Sequence, residues 1–94
     1  MLVARLNDIC SGTCRYHGQQ TGKIIESSSD VTVNGVGVAR VGDKVQANCG
    51  HFGTIVDNGL NVYANNKSIA RINDTTEGDF TATITTSSSD VNAG

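Results

Sequence analysis

The chain has 94 residues, of which 37% are hydrophobic and 4% aromatic, with no Trp. That is material for a single domain over residues 1–94 with a thin core. No apolar run approaches the roughly 20 residues of a membrane helix, Met1-Leu2-Val3 leads straight to Arg5 and Asp8 without the apolar stretch of a signal peptide, and a net charge of −2 excludes nucleic-acid binding through a basic stripe.

Gly, Asn, Asp, Ser and Thr supply 45 residues, and Val plus Ile number 17 against three Leu. β-branched residues separated by Gly and Asn favour strands and tight turns over helices, so the expected class is all-β.

In chain order, Met1–Arg5 reads as a short strand ending in the phrase Ala4-Arg5-Leu6-Asn7-Asp8. A loop from Asp8 to Gly22 follows, carrying Cys10, Cys14 and His17, and Gly22-Lys23-Ile24 opens the next strand. Ser27-Ser28-Ser29-Asp30 reads as a solvated turn. Val31, Val33, Asn34-Gly35, Val36 and Val38 alternate apolar residues around a type I′ turn signal, which predicts a hairpin. Ala39-Arg40-Val41-Gly42-Asp43 then restates the first phrase. The second loop, from Asp43 to Gly53, holds Cys49 and His51 and leads to Gly53-Thr54-Ile55. A second hairpin centres on Asn65-Asn66, followed by Ala70-Arg71-Ile72-Asn73-Asp74. The third loop, Thr75 to Thr81, offers only Glu77 and Asp79, and Ala82-Thr83-Ile84 ends in Ser87-Ser88-Ser89-Asp90-Val91.

The chain is therefore three repeats of about 31 residues, the third cut off where its turn should come. Its missing return strand is supplied by Met1–Arg5, which should pair with Asp90–Ala93 and close the figure, hiding its sheet edges. The alternative is an open three-turn β-solenoid. The recurring Arg5/Asp8, Arg40/Asp43 and Arg71/Asp74 read either as a local turn with a surface ion pair or as a thrice-repeated partner contact. Val3, Val31, Val33, Val38, Val62, Ile69 and Val91 should divide between the core and a flat base.

These phrases resemble the PAAR-repeat family, whose signature is of the type Asn-Gly-x-Pro-Ala-Ala-Arg-x-Gly-Asp. Asn34–Asp43 is the best copy, Asn65–Asp74 the second, and Val3–Asp8 keeps the end of it. The eponymous Pro is missing; Leu2, Gly37 and Ser68 stand in its place. The resemblance implies a small pointed cone of three pseudo-threefold hairpin repeats, closed by its N-terminal strand. Such cones cap the trimeric β-helical spike of a contractile phage tail or the VgrG-like spike of type VI secretion, and the short form is most like the caps of T-even-type phage baseplates. The expected partner is such a trimer, one cap per trimer, with Val31, Val33, Val38, Val62 and Ile69 as candidate contacts and transient contact with a target outer membrane. The expected place is the virion tail tip, after synthesis in the bacterial cytoplasm, or a type VI secretion spike. The alternatives are an adaptor carrying toxin or cargo on the spike and a small metal-dependent hydrolase; the favoured reading is not an enzyme.

All Cys and His fall in the first two loops, and equivalent loops of a closed three-unit fold meet at one apex. Four soft or borderline donors suit tetrahedral zinc. The expected ligands are Cys14, His17, Cys49 and His51, with Cys10 as the alternate and iron as the alternative metal. Family members commonly use three His and one Cys, which this chain cannot match with two His. A Cys10–Cys49 or Cys14–Cys49 disulfide, or free buried Cys, are the other readings of the same residues.

Overall fold

A computed structural model describes residues 2–56 and 63–87. The expected pairing partner Asp90–Ala93, the Ser88–Val91 copy of the serine phrase and Val62 lie outside those residues. The described fold is all-β.

Two of the three segments expected to be loops are β-hairpins, and the third is a pair of strands joined by a single bridge, Thr75 to Thr83. β1 (Ile9–Cys14) pairs with β2 (Gly18–Ile24), β5 (Lys44–Ala47) with β6 (Phe52–Ile55), and β9 (Thr76–Gly78) leads into β10 (Phe80–Ile84). Two smaller hairpins stand between them: β3 (Thr32–Val33) with β4 (Val36–Gly37), and β7 (Tyr63–Ala64) with β8 (Lys67–Ser68). Asn34 and Gly35 have φ of 54° and 78°, and Asn65 and Asn66 have 53° and 64°, so both small hairpins turn as the sequence predicts.

The six longer strands form one nearly closed, barrel-like antiparallel sheet in the order β10-β1-β2-β5-β6-β9. At the seam between β9 and β10, the buried Thr76 hydroxyl donates to the Phe80 carbonyl (2.9 Å) and accepts the Ala82 N–H (2.9 Å). Inward positions alternate along each strand, as a pleat requires: Cys10 and Cys14 from β1, Val45 and Ala47 from β5, Phe80, Ala82 and Ile84 from β10, all buried. Phe80 is the largest fully buried side chain. The barrel is narrow. A Cβ on Gly12 would collide with the Thr81 backbone and one on Gly22 with the Gln46 carbonyl and the Phe80 ring. The glycines that made these stretches read as loops are what lets opposing strands approach.

Below the barrel lies the element that makes three repeats one body. Ala39 N–H donates to Ala4 O (3.0 Å), Ala70 N–H to Ala39 O (2.9 Å), and Ala4 N–H to Ala70 O (3.0 Å). The flanking residues bridge in the same cycle: Arg5 to Val38, Arg40 to Ile69, and Val3 to Arg71. Val41 N–H to Ser68 O, Leu6 N–H to Gly37 O and Ile72 N–H to Leu2 O extend it. The N-terminal segment thus closes onto the third repeat as an equal member of a threefold ring. The three alanines are fully buried in the barrel core, whereas Val3, Val38 and Ile69 point the other way, into a second apolar cluster with Ala64 and Val33.

Each ring segment ends in the same turn. Asp8, Asp43 and Asp74 N–H donate to the carbonyls of Arg5, Arg40 and Arg71, with Asn7, Gly42 and Asn73 at φ of 71°, 92° and 74°. This is a type II turn, whose third residue must be left-handed. Each Asp carboxylate accepts its own Arg N–H (2.7, 2.9 and 2.7 Å). The Arg–Asp pairs are therefore turn supports, and they are not the exposed pairs expected: the three Asp are 7%, 2% and 8% exposed. The first serine phrase also differs from expectation. Ser28 is buried, its hydroxyl accepts the Val31 N–H (2.9 Å) and donates to Asn65 in the turn of the next repeat. Gly37, at the signature proline position, lies so close to Ser27 and the Ser28 carbonyl that a Cβ would collide with both.

Because the alanine ring is fully enclosed, added volume has nowhere to go. Ala39→Leu should lower the unfolding free energy by about 1–3 kcal/mol in urea denaturation, the usual cost of overpacking. An unchanged midpoint would show that the ring is not packed as described.

Candidate metal centre

Chain direction carries the donors away from the ring. From the Arg5–Asp8 turn, β1 climbs six residues to Cys14, a rise of roughly 17–20 Å. The β1–β2 turn then presents His17, and the β5–β6 turn presents Cys49 and His51 at the same end of the barrel. Four ligand atoms, one each from Cys14, His17, Cys49 and His51, lie within 4.8 Å of one another. Cys14 Sγ is 3.6 Å from His17 Nδ1 and 3.4 Å from His51 Nδ1, and Cys49 Sγ is 3.5 Å from His51 Nδ1.

Those separations are the test of fit. A tetrahedron with metal–sulfur bonds of roughly 2.3 Å and metal–nitrogen bonds of roughly 2.0–2.1 Å has sulfur–nitrogen edges of roughly 3.5 Å. Two thiols and two imidazoles with such spacings could hold one metal ion. Burial would push the Cys14 thiol up from its ordinary 9.0, but hydrogen bonds from the Tyr16 and His17 backbone and from the His17 and Cys49 side chains outweigh it and bring the thiol down to about 6. The same contacts favour the thiolate, the form that binds metals.

Cys10 is placed elsewhere. It is fully buried in β1, opposite Ile84 and Gly22, and sits about 13 Å along the strand from Cys14. Of the candidate partner contacts, Val38 and Ile69 are buried in the second apolar cluster and Val33 is half-buried against it. Val31 remains exposed.

Among the described residues the third repeat contributes no ligand to this group, but it completes the apex. Phe80 lies opposite Cys14 in the strand register and fills the barrel beneath the donors. Asp79 accepts the Arg15 N–H through its carbonyl (2.8 Å) and faces the Arg15 guanidinium through its carboxylate (3.8 Å). Arg15 lies over the Tyr16 ring (5.5 Å), which in turn packs at a tilt against His51 (4.8 Å between ring centres). The sequence marked Asp79 only as an acidic residue of the donor-free loop. Nothing in the spacing showed that it would anchor the turn bearing His17.

A family model described as the PAAR motif matches residues 11–83. The chain belongs to the PAAR-motif family. Comparison with curated protein sequences finds no match. The PAAR motif implies a spike-tip role in contractile injection or type VI secretion machinery, a structural role consistent with a non-enzyme. The matched residues include all four donors and the second and third ring segments. A cleft of about 450 Å³ lies at the level of the Arg–Asp turns between Ile25, Ser28, Arg40 and Lys67, and none of the Cys or His lines it.

Cys10 makes a pH prediction. Burial raises its thiol from 9.0 to about 11, only partly offset by a backbone hydrogen bond. Between pH 9 and 11 the unfolded chain loses a proton that the folded chain keeps, so this residue's contribution to stability is intact below pH 9 and falls across that window. Urea titrations of wild type and Cys10→Ala should show the stability gap between them narrowing from pH 9 to 11. Parallel curves would contradict the assignment.

Proposed function

We propose that this chain is the metal-stabilised point that caps the trimeric β-helical spike of a contractile injection machine and helps it breach the target cell envelope. The observation that carries this reading is the cyclic alanine ring. One chain with three equivalent segments around one axis can meet a threefold partner with three equivalent contacts, which a single asymmetric domain cannot do. The ring lies toward the end opposite the Cys/His group, so docking and point are separated along the axis.

The contact surface belongs to the small hairpins. Among the described residues, Val31, just before β3, and Tyr63 in β7 are exposed apolar groups of these hairpin segments, while Val38 and Ile69 act from behind by packing the hairpins onto the ring. A stable interface needs about 800 Å² per partner, so the hairpin rims must join these side chains in the contact.

At the other end, Cys14, His17, Cys49 and His51 would hold zinc. Bound zinc supplies no chemistry in this reading; it replaces the apolar core that a barrel so narrow cannot extend to its tip. Structural zinc sites give apparent binding energies of about 10–16 kcal/mol. The protein should purify with one equivalent of metal, and Cys14→Ser should lose it on dialysis against a chelator that wild type resists, as read by elemental analysis. A metal-free wild-type protein would contradict the ligand assignment.

Docking is tested by co-purification with a trimeric β-helical spike protein from the same source, followed by native mass measurement. One chain per trimer is the expected mass. Three chains per trimer, or no binding, would overturn the capping proposal.

A further inference from the structure

We propose that Cys14 and Cys49 are a second, covalent fastening of the same apex: an oxidisable pair that a peroxide converts to an intramolecular disulfide, expelling the metal. The release of metal rests on the zinc reading above; the pairing itself rests on the placement of the two sulfurs.

That placement selects one pair out of three thiols. Cys14 and Cys49 Sγ belong to the same group of atoms within 4.8 Å, and both contact His51 Nδ1. A disulfide needs the sulfurs at about 2.05 Å. Cys49 lies in the β5–β6 turn beside Gly50 at φ 98°, where backbone can yield, while Cys14, the last residue of β1, is held in register with Gly18 and Phe80. Cys10 has the same two neighbours, β2 and β10, but lies about 13 Å down β1 from Cys14 and is not one of the clustered donors. Exposure sets the order of events. Cys49 is half-buried and Cys14 buried, so peroxide reaches Cys49 first.

The chemistry balances with one peroxide. The Cys49 sulfur attacks a peroxide oxygen as its thiol proton leaves, and the O–O bond breaks. The departing hydroxide takes a proton and leaves as water, and Cys49 becomes a sulfenic acid. The Cys14 sulfur then attacks the Cys49 sulfur as its thiol proton leaves, the S–O bond breaks, and a second hydroxide leaves as water with that proton. Two electrons from the two sulfurs reduce one peroxide to two waters. The new bond ties the β1–β2 hairpin to the β5–β6 hairpin, the same two repeats that the metal would join. A cap assembled in a reducing cytosol would thus keep its point fastened after losing metal in an oxidising compartment.

The test uses the full-length chain, with zinc content measured first, exposed to hydrogen peroxide under conditions where it stays monomeric. The expected product is a monomer lighter by about 2 Da, the mass of the two thiol hydrogens. Fragmentation should map the link to Cys14–Cys49, with zinc released in step as seen by a colorimetric chelator. The link should persist in Cys10→Ala and vanish in Cys49→Ser. Sulfinic acid on Cys49 without a link, disulfide dimers, or a bridge involving Cys10 would overturn the proposal. Protein without zinc from the start that still forms the Cys14–Cys49 link would refute the metal reading and leave the pairing standing.

Discussion

Three backbone amides decide this molecule. A chain that must look threefold along one axis has to bring three covalently different segments into equivalent places, and here the N–H of each of three alanines donates to the carbonyl of another in a closed cycle. Such a cycle has no spare member. The N-terminal segment is one third of it, far in sequence from the Ala70 segment it joins, so the fold exists only when the beginning of the chain has come back to its third repeat. Small side chains are the condition: at three alanines the backbones can meet on the axis with the barrel core directly above them.

The rest follows outward from that ring. Immediately after each alanine, the Arg–Asp turn sends the chain away from the axis and into a hairpin, and the buried carboxylate pins the turn by accepting its own arginine N–H. The hairpins pair side by side into the narrow sheet, kept narrow by glycine. A narrow barrel has a cost: toward its tip there is room for Phe80 and little else. The first two repeats end there in sulfur and imidazole, while the third ends in Phe80 below and Asp79 beside them. The apex is thus where the threefold pattern is abandoned in favour of four donors and a tether through Arg15.

Much of this was legible in the sequence because repetition is robust. The triplicate phrases gave the three units and the Asn34-Gly35 and Asn65-Asn66 turns; the strand expected beside Met1–Arg5, Asp90–Ala93, lies outside the described residues, and the bridges of the N-terminal segment to Arg71 and Val38 were not read from the sequence. The confinement of Cys and His pointed to the four atoms that the structure brings together. What was not legible was long-range and steric. Cys10-Ser11-Gly12-Thr13-Cys14 lacks the β-branched apolar alternation that marks a strand, and only the proximity of Thr81 and Gln46 explains why Gly12 and Gly22 belong in one. Val38 and Ile69 alternate like surface-facing hairpin residues, but the ring turns them inward. Ser28 reads as a solvated turn until Asn65 of the next repeat is placed against it.

The most direct test of the account is amide hydrogen exchange measured residue by residue under native conditions. If the ring holds the fold together, Ala4, Ala39 and Ala70 should exchange together and only through global unfolding, with protection matching the denaturation free energy. An Ala4 amide that exchanges rapidly while Ala39 and Ala70 stay protected would show that the N-terminal segment is an attachment to a fold already complete without it, and the threefold ring would no longer stand as its organising element.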